Sequence, residues 1–264
     1  AFLADVYYVP DNIPKPVVPI ANTPILEHLM ALLKTHGIND ITVLLYYQAE
    51  HIKNLLGDGS KYGMSIRYVK PEQDFGTAGA VKLAEEFITD DFLVISGDVL
   101  TDFSLTDLRN FHKEKDSTAT ISLFSAENPL QFGIVLTDNE NKIVRFLEKP
   151  SSSEVFSDTI NTGIYYFKKE IFDYIPAGEN FDFSKDLFPH LLANQIPLYG
   201  FKNTGYWRDV GNLEEYIYAN LEALRGDLHY IKVKDAKGNC IDPSAKISEA
   251  AFVENSIIGK NVVV

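Results

Sequence analysis

Cysteine is almost absent from this 264-residue sequence, Cys240 being the only one. No internal disulfide can form, so the fold rests on burial and hydrogen bonding, and a reducing, cytoplasmic location is expected. Long apolar runs are lacking too. No stretch approaches the roughly 18 residues of a membrane span, and no charged-then-apolar leader stands ahead of the first elements. Positive charge is scarce: 24 Lys and Arg against 37 Asp and Glu give a formal net charge of −13. That balance argues against a sequence-independent grip on nucleic acid, which needs clustered Lys and Arg. A mononucleotide is not excluded, because metal ions neutralise phosphates inside acidic proteins.

What is present centres on Leu93-Val94-Ile95-Ser96-Gly97-Asp98-Val99, an apolar run that breaks at Gly-Asp. It predicts a buried parallel strand. Ligands of open α/β sheets bind outside the carboxyl ends of such strands. A carboxylate there, with Gly97 admitting close approach, suits a hard divalent cation that also holds phosphate oxygens. The alternative is that Asp98 caps the helix beginning after Ser104, and this stretch alone leaves the two readings even.

Strands and helices alternate around it. Three prolines within 14–19 fix an extended loop and hold Lys15 between rigid neighbours, although a solvent-facing lysine is the plainer alternative. Thr23-Pro24 opens a helix marked by Ile25, Leu29, Leu32 and Leu33, and Gly37 ends it. Strands are expected over 41–47 and 65–69, with a helix over 50–56 between them. Glu72-Gln73-Asp74-Phe75-Gly76-Thr77-Ala78-Gly79-Ala80 is a small-residue loop leading into a helix over 81–87. Its backbone N–H groups can face a flat ligand, or it is a helix-start turn; it is neither a P-loop nor Gly-x-Gly-x-x-Gly. Ser104 caps a helix running to about Lys115, and a strand follows over 118–124.

Residues 133–138 and 142–149 read as a hairpin ending in Glu148-Lys149-Pro150. Adjacent acid and base in a strand face opposite ways unless the pleat breaks, and Pro150 is where it breaks. A strand over 160–167 carries Asn161 and Gly163 at its start. Ser184–Asn194 reads as a helix bent by Pro189. Tyr206-Trp207-Arg208-Asp209-Val210-Gly211 sets a second aspartate in an apolar, Gly-flanked segment, and an amphipathic helix follows from Leu213 to about Arg225. The alternation predicts an α/β fold with a Rossmann-like, mostly parallel sheet and crossover helices, occupying 1–228.

The remainder, 229–264, is different. Ile241, Ile247 and Val253 recur every six residues with Pro243, Ala245 and Ala251 between them, the pattern of a parallel β-helix. Coils of that kind bury their aliphatics only by stacking, so a homo-oligomer is expected. The pattern stops in mid-course at Val264 and no Met begins the chain, so a longer parent sequence is expected.

Seven segments together resemble one family. They are Pro14-Lys15-Pro16, Phe75 to Ala80, Gly97 to Asp102, Phe132 to Val135, Phe146 to Pro150, Asn161 to Tyr165 and Tyr206 to Gly211. In this order they resemble the sugar-1-phosphate nucleotidyltransferases (nucleotide-sugar pyrophosphorylases), most closely the mannose-1-phosphate guanylyltransferase branch. The resemblance spans Asn12 to about Arg225, and many family members carry a left-handed β-helix after the catalytic domain. It implies transfer of a nucleotidyl group from an NTP, GTP being expected, to a sugar-1-phosphate, mannose-1-phosphate being expected, with release of pyrophosphate. It further implies Asp98 and Asp209 as ligands of Mg2+ and Lys15 as the cation near the α-phosphate. Gln73, Gly76 and Thr77 fall on the nucleotide side. Gly133, Glu148, Asn161 and Gly163 match sugar-hydroxyl contacts, and Lys149 matches the lysine on the sugar phosphate. The sequence departs from the family twice. Asp5-Val6-Tyr7-Tyr8-Val9-Pro10 stands in place of a Gly-rich, Arg-bearing phosphate loop, which leaves a non-catalytic, nucleotide-sugar-binding homologue as the alternative. Pro71 stands where many relatives carry a base-reading Gln.

Overall fold

The computed structural model describes residues 13–45, 48–228 and 235–264. The Asp5–Pro10 segment and the strand end at Tyr46–Tyr47 lie outside them. Lys15–Val17 forms a single 3-10 turn in which Val17 N–H donates to Pro14 O and Val18 N–H to Lys15 O. A hairpin follows, with β1 (Pro19–Ile20) antiparallel to β2 (Thr23–Pro24). Its tip residues Ala21 and Asn22 have φ of +49° and +65°, the left-handed turn that matches strand twist. Thr23 is therefore committed to a strand and does not cap helix α1 (Ile25–Thr35), whose N-cap is Pro24.

Next come β3 (Asp40–Leu44), α2 (Ala49–Leu56) and β4 (Ser65–Val69), with β4 parallel to β3 from Asp40↔Ser65 to Leu44↔Val69. Helix α3 (Gly76–Lys82) starts at the glycine itself, five residues earlier than the expected helix. The Leu93–Val99 run divides into β5 (Phe92–Ile95) and β6 (Val99–Thr101). After α4 (Leu105–Glu114) come β7 (Ala119–Ser125), β8 (Gly133–Thr137), β9 (Ile143–Glu148) and β10 (Thr159–Phe167). The expected helix at 184–194 starts as a π turn, Phe183–Leu187, and continues as α5 (Phe188–Ala193). Pro189 lies in the first turn of α5, directly after the π turn. Strand β11 (Leu198–Lys202), β12 (Trp207–Asp209) and α6 (Leu213–Arg225) complete the run.

The main sheet has the order β11-β7-β10-β8-β9, with β5 on β10. It is mixed, not mostly parallel as the alternation predicted. β11 runs parallel to β7, whereas β10 is antiparallel to β5, β7 and β8, and β8 to β9. Loop length decides the local pair β8–β9, joined by a short turn, and the parallel pairs β3–β4 and β7–β11 have a helix between their strands. The antiparallel partners of β10 are strands distant in sequence. Side chains alternate along β10. Ile164 and Tyr166 enter the core beneath α1 and α4, and Tyr165 and Phe167 enter the aromatic core with Phe172, Phe183 and Phe188.

Among the described residues β3 and β5 do not pair, and a cavity of about 480 Å³ lined by Leu29, Leu33, Val43, Leu93 and Val94 lies at their facing edges. Near the end of the chain, β13 (Cys240–Ile241) and β14 (Ile257–Ile258) pair in parallel 17 residues apart, and Lys246 bridges Val263 at the same spacing. This segment closes a third core with Ile20, Leu100, Val210 and Ala219. Among the described residues no helix is long and apolar enough to cross a membrane.

Candidate functional site

The two aspartates singled out in the sequence meet because of strand register. β12 lies antiparallel to β6, with Asp209 opposite Val99 and Val210 N–H donating to Asp98 O at 3.1 Å. Asp98 sits in the break between β5 and β6. It does not cap α4: Ser104 does, its Oγ accepting from Asp107 N–H at 3.2 Å. A Cβ on Gly97 would lie 3.4 Å from Pro16 Cγ, so the Lys15-Pro16 turn rests against the strand end. Lys15 is exposed there.

The electrostatics are those of an incomplete charge set. Burial, and next the charge of Asp98, push the Asp209 carboxyl up to about 6, while Lys15 and Lys149 pull it down. Asp209 Oδ1 is buried with no hydrogen-bond partner. A cation between the carboxylates would relieve both conditions, so these residues fit a divalent metal. Among the described residues no cluster of three or more His, Cys, Asp or Glu exists. Asp98 and Asp209 would supply two sides of a coordination shell, and phosphate and water oxygens would fill the rest.

Beside this pair lies the hairpin end. Gly133 is the register partner of Glu148, and a Cβ on it would stand 2.6 Å from Glu148 Oε2. That oxygen is buried and unpartnered. Burial raises the Glu148 carboxyl above its ordinary range, with the Ser184 hydroxyl and the Lys149 charge opposing. The pleat does break here, at Lys149 itself: its φ is +45° and its N–H bonds to Phe132 O at 3.1 Å. Lys149 is thereby exposed on the Asp209 side while Glu148 points inward.

Asn161 and Gly163 are used by the fold. Asn161 Nδ2 donates to Tyr165 Oη at 3.0 Å and Ser184 Oγ at 3.3 Å, and its Oδ1 accepts from Gly163 N–H at 3.0 Å. Gly163, φ +75°, forms the irregularity in the β10–β7 register, with its carbonyl accepting from Ser96 N–H at 3.1 Å. A side chain would strain this backbone and strike Ser96.

At the Gly76 loop the fold takes up N–H groups that the sequence offered to a flat ligand, in keeping with the helix-start alternative. Gly76 N–H donates to Asp74 Oδ1 at 2.8 Å, and Ala78 and Gly79 N–H both donate to Phe181 O. With these donors occupied, the first turn of α3 is bound to the 180–183 strand of chain. Gly76 (φ +68°) needs no side chain because a Cβ would lie 2.6 Å from Phe181 O. Gln73 and Thr77 are exposed on this side.

Supporting residues come from elements the sequence reading left idle. Arg208 forks between Glu222, at 2.6 and 2.8 Å, and Glu215, tying β12 to α6. Asp102 accepts from Tyr206 N–H at 2.7 Å, and Trp207 Nε1 donates to Thr162 O at 3.0 Å. Ser184 and Asp182 carried one sequence signal that was not used: an Asp just ahead of a helix is a preferred N-cap.

A family profile for nucleotidyl transferases matches residues 9–226. A UTP–glucose-1-phosphate uridylyltransferase of Synechocystis is 38% identical over 82% of this chain and 58% of its own length. A mannose-1-phosphate guanylyltransferase of Mycobacterium tuberculosis is 32% identical over 94% of this chain and 69% of its own. The chain thus spans between about half and two thirds of these relatives. The structure of HddC from Yersinia pseudotuberculosis complexed with GMP-PN superposes with a TM-score of 0.68 at 26% identity, covering 81% of this chain and 92% of that one. With the family profile spanning residues 9–226 and a relative 32% identical over 94% of this sequence, the chain belongs to the nucleotidyl transferase family.

Proposed function

We propose that this chain transfers a nucleotidyl group from an NTP to a sugar-1-phosphate, releasing pyrophosphate, with GTP and mannose-1-phosphate as its pair. The observation that carries the reading is the opposed Asp98–Asp209 pair, short of positive charge and flanked by Lys15 and Lys149. In the reaction a phosphate oxygen of the sugar-1-phosphate forms a bond to the α-phosphorus of the NTP. The bond from that phosphorus to the bridging oxygen breaks, and the electron pair leaves with pyrophosphate. The attacking oxygen comes from the substrate, so no protein nucleophile is needed. Alignment and charge neutralisation are what the protein supplies.

In this reading Lys15 faces the α-phosphate and Lys149 the sugar phosphate. The free Glu148 Oε2 accepts a sugar hydroxyl, with Gly133 leaving room beside it. Asp98 and Asp209 would hold Mg2+, which would neutralise phosphate charge and draw the two substrates together. Named relatives support both a guanylyl and a uridylyl choice, with the guanylyltransferase of M. tuberculosis matching the larger share of this chain.

The test is pyrophosphate release with GTP or UTP against mannose-1-phosphate or glucose-1-phosphate. Turnover with GTP and mannose-1-phosphate is expected, and preference for another pair overturns the substrate assignment. The sequence of Asp5–Pro10, without Gly or Arg, favours a second reading, a nucleotide-sugar-binding homologue without catalysis. Binding of GDP-mannose with no turnover of any pair is its signature.

A further inference from the structure

The tip of the β1–β2 hairpin is where the end of the chain is fastened. Asn22 Nδ2 donates to Ile258 O at 2.9 Å and to Cys240 O at 3.2 Å. One amide therefore holds a carbonyl from each strand of the β13–β14 pair. The Cys240 thiol returns a bond to the same tip, donating to Ala21 O at 3.2 Å. Ala21 N–H in turn donates to Asn220 Oδ1 of α6 at 2.9 Å. Cys240 and Asn220 are buried, so these bonds are sheltered from water. The backbone of Asn22 is left-handed at φ +65°, a conformation that Asn tolerates.

The fastening matters because of what lies under it. β13 and β14 pair over only two residues each, and coils of this kind bury their aliphatics only by stacking on a neighbour. Their seat is the third core, where Cys240 and Ile257 pack in one cluster with Ile20, Leu100 and Val210. Ile20 follows the Lys15 turn, Leu100 follows Asp98, and Val210 is next to Asp209. A single apolar cluster thus backs three segments of the site, and the C-terminal segment completes it. The hairpin is joined to the turn by backbone bonds: Ile25 N–H donates to Val18 O and Val18 N–H to Lys15 O, both at 3.1 Å. Pro16 of that turn rests against Gly97, as the 3.4 Å approach of an added Cβ shows.

We propose that Asn22 is a positioning residue: it fastens the 235–264 segment to the hairpin and so holds the Lys15–Pro16 turn against the strand end that carries Asp98. This rests on the proposed function for the role of Lys15, while the fastening rests on the bonds alone. The C-terminal segment is then a working part of the nucleotidyl-transfer site and not a module appended to it.

Two substitutions remove the donor without straining the turn. Asn22→Gly suits the positive φ, and Asn22→Asp keeps the shape but cannot donate to the two carbonyls. Asn261→Gly, at an exposed left-handed position of the same segment, and Ile175→Val, in the aromatic core, are the controls. Hydrogen exchange is followed at the Val17 and Val18 amides, which report the turn. It is followed also at Cys240 and Asp242, which report the coil through their bonds to Ser256 O and Ile258 O. In both Asn22 variants all four amides are expected to exchange about fivefold faster, the scale of one lost hydrogen bond. In both controls Val17 and Val18 are expected to stay within about twofold of the unmodified protein. Val17 and Val18 unchanged in the Asn22 variants overturns the proposal, as does an equal gain there in Ile175→Val. Pyrophosphate release is the second readout. With the pair that the unmodified protein turns over, the Asn22 variants are expected to lose about fivefold in kcat while KM for the sugar-1-phosphate holds within about twofold. An unchanged kcat, or a loss confined to KM, overturns the positioning role. If the unmodified protein turns over no pair, the proposed function fails, and exchange at Val17 and Val18 decides the fastening by itself.

Discussion

Asp209→Asn should make the metal-free protein more stable and at the same time less able to hold a divalent cation. The Asp209 carboxyl is pushed from an ordinary 3.8 up to about 6, by burial first and the Asp98 charge second. Two units correspond to about 3 kcal/mol against the ionised form, at about 1.4 kcal/mol per unit. Solvent reaches part of the group, so halving for screening leaves about 1.5 kcal/mol. A raised folded-state value favours the protonated fold: this contribution is complete below the ordinary carboxylate range and is lost as pH rises through about 6. The amide mimics the protonated acid at every pH. At pH 7.5 without metal, the variant should therefore melt about 3–6 °C above the unmodified protein, given the scaling for a chain of this size. At pH 3, below the ordinary carboxylate value of 3.8, the two should coincide. Added Mg2+ should raise the unmodified Tm and leave that of the variant nearly unchanged, because only a bound ion stabilises by mass action. Scanning calorimetry at two pH values, with and without Mg2+, reads all four conditions. A variant that melts lower at pH 7.5, or a gain of equal size at both pH values, refutes the argument.

Arg208→Met should cost about 2–3 kcal/mol, because Glu215 and Glu222 lose their shared cation while half-buried; urea unfolding measures it, and a Glu222→Gln second change should recover part of the loss. Gly163→Ala should cost about 1–3 kcal/mol from the left-handed backbone alone, with Ser96→Ala relieving only the side-chain collision, again by urea unfolding. Lys149→Met should raise KM for the sugar-1-phosphate about tenfold, the loss of one charge-assisted contact. Lys149 is exposed, so its Tm should stay put, and a KM change confined to the NTP would contradict the assignment.

Much of the local structure was legible in the chain. Ser104 as an N-cap, the Gly133–Glu148 hairpin, the broken pleat before Pro150 and the α6 stripe all depend on contacts within a few residues, and local chemistry dictates them. The aspartates themselves were visible because Gly-flanked acids at the ends of apolar runs are rare in a core. Three things were not legible. The sheet is mixed because β10 joins β5, β7 and β8 in antiparallel fashion, a choice set by which distant strands share an edge and not by strand propensity. Thr23 became a strand residue through its hairpin pairing with Ile20, and Ala78 and Gly79 gave their N–H groups to the distant Phe181 carbonyl. Most of all, the sequence by itself determined that Asp98 ends an apolar run and Asp209 sits in an apolar, Gly-flanked segment, and that one lysine lies between prolines and another beside a glutamate. Only tertiary structure decided that the β6–β12 register brings Asp209 within electrostatic reach of Asp98, with both lysines close enough to act on it. Charge of one sign gathers in a half-buried cleft only when long-range pairing holds it there, and no short-range rule encodes that pairing.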